Sequence, residues 1–436
     1  MKERFVIEGL GGKKTLSGVV SIHGAKNAIL PAMASAFLFK DALTIENMPD
    51  IEDVKRLTEL LEGFGATVTE KSGRSCTIDT AHATKTEFDR AVAKRLRASI
   101  ILTGPLLARY GTATFPYPGG CVLGQRSIDL FLQSFRAMGV EIKEENEEGD
   151  DIFRLTVTGK KLQGADIFFS QVSVTATETM MMAAVLADGT TTLRNAAMEP
   201  EIQSLADFLN SCGAHITGAG TSTITIKGGD VLSTGGRAYH TLPDRIETGS
   251  FLILGALTAH DLTIEGCVPE HVEALINLLT LSGVSITRTA TSLTISNNTK
   301  PSREWKGVNV KTHEYPGFAT DLQAPMVVYL TQVSGESTVF ETIFEARLNY
   351  IEDLVKMGAN ITMWNPNKVS IKGPSILKDR ELEGPDIRAG LAYVIAALVA
   401  QGTSTIDNIY YIDRGYECLE TRLQQLGANI RREARS

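Results

Sequence analysis

Gly213-Ala214-His215-Ile216 closes a helix-like run and opens an alternating Thr/Ile stretch that reaches Lys227. Five other tetrads share its form: Gly65-Ala66-Thr67-Val68, Gly139-Val140-Glu141-Ile142, Gly283-Val284-Ser285-Ile286, Gly358-Ala359-Asn360-Ile361 and Gly427-Ala428-Asn429-Ile430. Their glycines recur every 69 to 75 residues, so the chain reads as six copies of one unit. The copies are internal controls for one another. What recurs in all six is architecture, and what appears in one is a candidate for chemistry.

Around each tetrad the pattern repeats. An almost wholly apolar helix comes first: Ala28 to Leu38, Ser99 to Ala108, Thr179 to Ala187, Ser250 to Ala259, Ala324 to Gln332 and Leu391 to Ala400. A short strand follows, such as Thr190 to Leu193, and then an amphipathic helix such as Ile51 to Phe64 or Val272 to Leu281. That helix ends on the tetrad glycine, at the position where positive φ is needed. A hairpin completes the unit, as in Ile216 to Lys227.

A helix that is apolar all round must be buried on all sides. Three such helices enclosed by their own sheets make one domain, and six make two, as expected of a chain of 436 residues. The sixth hairpin lacks its second strand, and Phe5-Val6-Ile7-Glu8-Gly9 has the pattern of the missing piece, matching Ile224 to Gly228 and Val369 to Gly373. The expected domains are therefore residues 26–242 and a discontinuous one of residues 1–25 with 243–436.

Net charge of −8 carries no electrostatic footprint for nucleic acid or an anionic membrane. Met1 to Leu10 has no apolar signal-like core, and the longest purely apolar run, Leu391 to Ala400, is too short for a bilayer, so a cytoplasmic protein without membrane insertion is expected. Five cysteines without a CxxC pair indicate neither a disulfide framework nor a zinc site. Cys76, Cys212, Cys267 and Cys418 stand in strand or helix contexts that read as core.

Chemistry emerges from comparing equivalent positions. Where the buried helices begin, the units show Lys26-Asn27, Arg97, Val172 to Thr175, Asp244-Arg245-Ile246-Glu247, Asp321 and Asp386-Ile387-Arg388. Cations there oppose the helix dipole. For Arg245 and Arg388 local ion pairing and a bound anion are both open; Lys26 and Arg97 have no acid nearby in sequence, which favours a bound anion. The loop before the amphipathic helix is bland in the first, third and fourth units, at Asn47 to Asp50, Asn195 to Glu201 and Gly266 to Glu270. In the second it expands to Tyr117-Pro118-Gly119-Gly120-Cys121-Val122-Leu123-Gly124-Gln125-Arg126-Ser127-Ile128-Asp129-Leu130. Three glycines and a proline around one cysteine describe an exposed loop, and Arg126 favours its thiolate. Arg347 and Arg414 occupy the equivalent loops of units five and six. An isolated loop arginine is ordinarily solvated, but two in register with the cysteine loop point to one shared site.

These motifs resemble the UDP-N-acetylglucosamine enolpyruvyl transferase family from about Phe5 to Arg431: Gly24-Ala25-Lys26-Asn27, Arg97-Ala98-Ser99-Ile100, Pro118-Gly119-Gly120-Cys121, Leu242 to Gly249, Thr320-Asp321-Leu322-Gln323-Ala324 and Asp413-Arg414-Gly415-Tyr416-Glu417. The resemblance implies two inside-out α/β barrel domains of three repeats, buried helices surrounded by sheets, with substrates bound between the domains. It implies transfer of the enolpyruvyl group of phosphoenolpyruvate to the 3′-hydroxyl of UDP-N-acetylglucosamine in peptidoglycan synthesis, without metal or organic cofactor. By the same resemblance Cys121 is the proton donor and the residue alkylated by fosfomycin, and Asp321 faces the 3′-hydroxyl. Lys26, Arg126 and Arg414 clamp phosphoenolpyruvate, with Arg97 and Arg388 completing a cationic cleft; Arg347, from its register with the cysteine loop, is a further expected substrate contact. The nucleotide sugar meets Asn27, Arg97, the segment Arg126, Ser127, Ile128, Asp129 and Leu130, the backbone of Gln171, Val172, Ser173 and Val174, then Asp321 and Ile343. Ser127, Phe131, Gln171 and Ala346 stand where the family usually has Pro, His, a basic residue and Asn. The shikimate-pathway enolpyruvyl transferases share the repeats but not the cysteine loop. A sliding-clamp ring needs basic inner helices, and a silent regulatory paralogue is the non-enzyme alternative.

Overall fold

The computed structural model describes residues 3–119, 127–384 and 387–434, apart from the side chains of residues 387 and 388. Contacts divide the chain into two compact units: one holds the residues up to His23 and from Pro243 onward, the other runs from Gly24 to Leu242.

The third repeat shows the plan. A short strand, β1 (Asp166–Phe168), leads into the buried helix α1 (Val174–Val185), which returns to β2 (Thr190–Arg194). Helix α2 (Pro200–Ser211) and the hairpin β3 (His215–Thr217) and β4 (Thr223–Lys227) complete it. The sheet order is β1-β2-β4-β3, with β1 parallel to β2 and the other pairs antiparallel. A parallel pair cannot be joined by a tight turn, and the buried helix is its crossover.

Most of the leading strands have two or three residues, too short to display alternation in the sequence, and the six-residue Leu16–Ser21 is buried only at its first and fifth positions. The leading strand recurs as Ala238–His240 beside Leu43–Glu46, Leu16–Ser21 beside Ala259–Glu265, Val310–Lys311 beside Gly335–Phe340, and Glu381–Glu383 beside Thr403–Asp407. In the second repeat it shrinks to a single bridge, Glu87 to Thr114, leaving a three-stranded sheet. The N-terminal strand Glu3–Glu8 lies between Thr403–Asp407 and Ile430–Ala434, in the slot of the absent hairpin strand.

Every residue of α1 from Ala176 to Val185 is buried, as is every residue of Arg245–Thr258 from Ile246 onward. Within each unit the three apolar helices pack on one another, and three separate sheets enclose them. The six tetrad glycines all have φ between 83° and 116°, a region costly for residues with a Cβ. A second recurrent glycine has a different cause. At Gly9, Gly228 and Gly373 a Cβ would come 2.1, 2.0 and 2.2 Å from the carbonyl oxygens of Ala400, Ala187 and Val333, because the hairpin leaves the sheet against the end of the buried helix.

Candidate active site

In the Gly24–Leu242 unit, Lys26 is the first residue of the helix Lys26–Ala34. Its Nζ lies 2.5 Å from Asp53 Oδ2, with both side chains largely buried. Asp53 stands in the first turn of the helix Glu52–Gly63, where the dipole favours a carboxylate. Lys26 has no acid near it in sequence, and its partner comes from the next helix of the same repeat. Asn27 beside it is half-buried.

Arg97 opens the short 3-10 helix Arg97–Leu102. Its Nη1 donates to the Pro118 carbonyl at 2.8 Å and its guanidinium lies over the Tyr117 ring, 5.6 Å from the centroid. It therefore secures the stem of the glycine-rich segment. Gly119 is packed so tightly there that a Cβ would fall 2.2 Å from the Lys94 carbonyl. Cys121 and Arg126 lie outside the described residues. Beyond them, the Ser127 hydroxyl donates to the Asp129 carboxylate at 2.6 Å and accepts from the Asp129 amide at 2.9 Å. Ile128, Leu130 and Phe131 point into the core. Ser173 caps α1 by accepting from the Ala176 amide at 3.2 Å; Gln171 is exposed, and Val172 and Val174 are half-buried.

The bland loop of the third repeat conceals a group of acids that sequence reading missed. Glu178, on α1, is buried with Glu199 and Glu201. Burial, then Glu201, then Glu199 push the Glu178 carboxyl well above the usual carboxylate range. Its Oε1 has no hydrogen-bond partner among the described residues. A lone acid on an apolar helix could have signalled this.

In the other unit, Asp321 sits in the 3-10 turn Thr320–Leu322 that opens the helix Gln323–Gln332. Arg347, only 5 % exposed in its side chain, donates from Nη2 to Asp321 Oδ1 at 2.6 Å and from Nη1 to the Thr320 hydroxyl at 2.7 Å. Arg347 is therefore not a solvated loop residue. The amide of half-buried Ile343 donates to Glu341 at 2.8 Å. Arg414 is buried, while Asp413 before it receives both terminal nitrogens of Arg432, at 2.7 and 2.9 Å. The side chain of Arg388 lies outside the described residues, as does Asp386.

Asp244 caps the helix Arg245–Thr258, accepting from the Ile246 and Glu247 amides at 2.8 and 2.9 Å. Glu247 pairs with Arg422, and burial still raises its carboxyl pKa against that pairing. Arg245 lies over the Tyr315 ring at 5.6 Å. Cys76, Cys212 and Cys267 are buried, but Cys418 is exposed, against the expectation of a core position. It occupies φ 42° just before the helix Leu419–Gln425, where the chain turns at the surface. Among the described residues no group of three or more His, Cys, Asp or Glu side chains is arranged to hold a metal ion. No described helix is long and apolar enough to cross a membrane.

A basic or acidic side chain at the head of an apolar helix, held by a partner from a neighbouring element, is the recurring device of both units. The family described as EPSP synthase (3-phosphoshikimate 1-carboxyvinyltransferase) matches residues 10–423. The enolpyruvyl transferase NikO from Streptomyces tendae superposes with a TM-score of 0.85 at 23 % identity, over 99 % of each chain. EPSP synthase from Acinetobacter baumannii superposes with a TM-score of 0.74 at 18 % identity, over the whole of both chains. These solved structures share the two-domain inside-out α/β fold. Closer in sequence is the UDP-N-acetylglucosamine 1-carboxyvinyltransferase of Desulforapulum autotrophicum, 41 % identical over 98 % of this chain and 99 % of that one. UDP-N-acetylglucosamine 1-carboxyvinyltransferase 1 of Caldanaerobacter subterraneus is 40 % identical over 99 % of this chain and all of its own. The chain belongs to the UDP-N-acetylglucosamine 1-carboxyvinyltransferase family, within the enolpyruvyl transferases.

Proposed function

We propose that the protein transfers the enolpyruvyl group of phosphoenolpyruvate to the 3′-hydroxyl of UDP-N-acetylglucosamine, releasing phosphate. This is the first committed step of peptidoglycan synthesis, carried out in the cytoplasm and supporting cell-wall growth, cell shape and division. The observation that carries the reading is the carboxylate of Asp321, held by buried Arg347 at the head of an apolar helix in a chain of this family.

The chemistry has two stages. In the addition, the 3′-oxygen bonds to C2 of phosphoenolpyruvate, C3 gains a proton, and the hydroxyl proton is taken up by a base. In the elimination, the C2–O bond to phosphate breaks and C3 loses a proton, leaving the enol ether. Asp321 is the proposed base and Cys121 the proposed proton donor, roles each worth about a hundred- to ten-thousandfold in rate. Lys26, Arg126 and Arg414 carry the charge needed to bind phosphate and carboxylate, and Arg97 and Arg388 add to it. Asn27, Ser127, Ile128, Asp129, Leu130, the backbone of Gln171, Val172, Ser173 and Val174, and Ile343 are the proposed nucleotide-sugar contacts. Arg347, also a proposed substrate contact, supports Asp321 through its bond to that carboxylate.

Asp321→Asn tests the role directly. It retains the shape and one acceptor but removes the base, so kcat falls by roughly two orders of magnitude or more while nucleotide-sugar binding survives at reduced strength. Near-normal turnover in that variant removes Asp321 from the chemistry.

A further inference from the structure

Glu341 was passed over in the sequence, yet its carboxylate is completely buried and accepts four hydrogen bonds. They come from the Thr312 hydroxyl at 3.1 Å, the Thr320 hydroxyl at 2.9 Å, and the amides of Ile343 at 2.8 Å and Phe344 at 3.1 Å. Four donors around one buried carboxylate offset the loss of its hydration.

The repeats show what is special about it. Immediately after the inner strand, the first repeat has Asn47 and the third Asn195; their side-chain amides donate to the backbone just past the leading strand, at Thr241 and Phe169, at 2.9 and 2.8 Å. Glu341 follows the inner strand Gly335–Phe340 and reaches Thr312, just past the leading strand Val310–Lys311. The fifth repeat thus fills an architectural slot with an acid. That acid reaches further than the asparagines do, to the head of the buried helix and to the loop beyond.

The polarity of the chain is fixed by its ends. A guanidinium only donates, so the Thr320 oxygen accepts from Arg347 and its single proton points to Glu341. Arg347 then stands between two carboxylates, bound directly to Asp321 and through one hydroxyl to Glu341. We propose that Glu341 is a positioning residue for the transfer reaction, fixing both the Asp321 carboxylate, through Thr320 and Arg347, and the Ile343 backbone for the acceptor sugar. This rests on the functional reading above.

Glu341→Gln turns one accepting oxygen into a donor, so Thr320 can no longer give its proton in that direction and accept from Arg347 alone. Steady-state kinetics with both substrates is the test, on protein shown by thermal unfolding to be folded. Misplaced groups cost on the order of 10- to 100-fold in kcat. That loss is expected together with a raised KM for UDP-N-acetylglucosamine, while KM for phosphoenolpyruvate changes by less than about twofold on the same ground. Thr320→Val should reproduce the loss in kcat, which runs through Arg347 and Asp321, and Thr320→Ser should relieve it. In an Asp321→Asn background the Glu341→Gln substitution should cost little more, since coupled groups are not additive. Thr320→Val and Thr320→Ser keep the test open if Glu341→Gln does not fold. Unchanged kcat and acceptor KM, an equal loss in both backgrounds, or Thr320→Ser no better than Thr320→Val overturns the proposal alone. Unsubstituted protein inactive with this substrate pair overturns the functional reading, and the proposal with it.

Discussion

At the scale of single residues, thiol chemistry separates two cysteines that sequence context treats differently. Burial raises the thiol of Cys76 to about 11 and also raises those of Cys212 and Cys267, so none of these three competes for an electrophile near neutral pH. Cys418 is exposed and will react with a general alkylating reagent. Fosfomycin also requires an anion site for its phosphonate, so under the proposed function its adduct is expected on Cys121. Peptide mapping should find one fosfomycin adduct, kept in Cys418→Ser and absent in Cys121→Ala, and formed faster with UDP-N-acetylglucosamine present. An adduct on Cys418 contradicts the loop assignment. Backbone conformation supplies a second test. Ala346 sits at φ 55°, while Asn47, Asn195 and Asn408 occupy the same left-handed region. Ala346→Asn relieves a conformation that costs an L-residue about 1 kcal/mol, so the variant should unfold at a higher temperature. A lower midpoint would show that the alanine methyl is needed where it stands.

At the scale of elements, Glu178 on α1 connects packing to pH. Its folded pKa is raised, so over a window above its ordinary value the folded protein keeps a proton that the unfolded chain has lost. Stability contributed by that proton is complete below the unfolded pKa and declines as pH rises through the folded one. Glu178→Gln removes the titration while keeping the shape of the protonated acid. Its unfolding midpoint should gain on the unsubstituted protein from pH 5 to pH 8, and a constant offset would mean that Glu178 ionises in the fold as it does in the unfolded chain. The six helix-ending glycines and the apolar helices were legible because both depend on local periodicity and local backbone conformation. The partners of the charged residues were not. Asp53 meets Lys26, Glu341 meets Thr320, and Arg422 meets Glu247 across elements, and such meetings depend on tertiary packing rather than spacing. Most leading strands escaped notice because two or three residues are too short to alternate.

At the scale of the whole molecule, six repeats form two compact units with separate cores, and the N-terminal strand completes the last sheet of one of them. Repetition makes the scaffold, and departures from it mark the residues proposed for chemistry: the expanded sequence around Cys121, the acid at Asp321, and Glu341 in an asparagine slot. The proposed reaction needs no metal ion, so activity should be unchanged after EDTA treatment, and restoration by an added metal would contradict that. The most direct test mixes pure protein with phosphoenolpyruvate and UDP-N-acetylglucosamine and follows phosphate together with product mass. The account predicts stoichiometric phosphate and the 3′-enolpyruvyl ether of the nucleotide sugar, with none when UDP-N-acetylglucosamine is omitted. Phosphate release with shikimate 3-phosphate in its place, or no release with either acceptor, would contradict it.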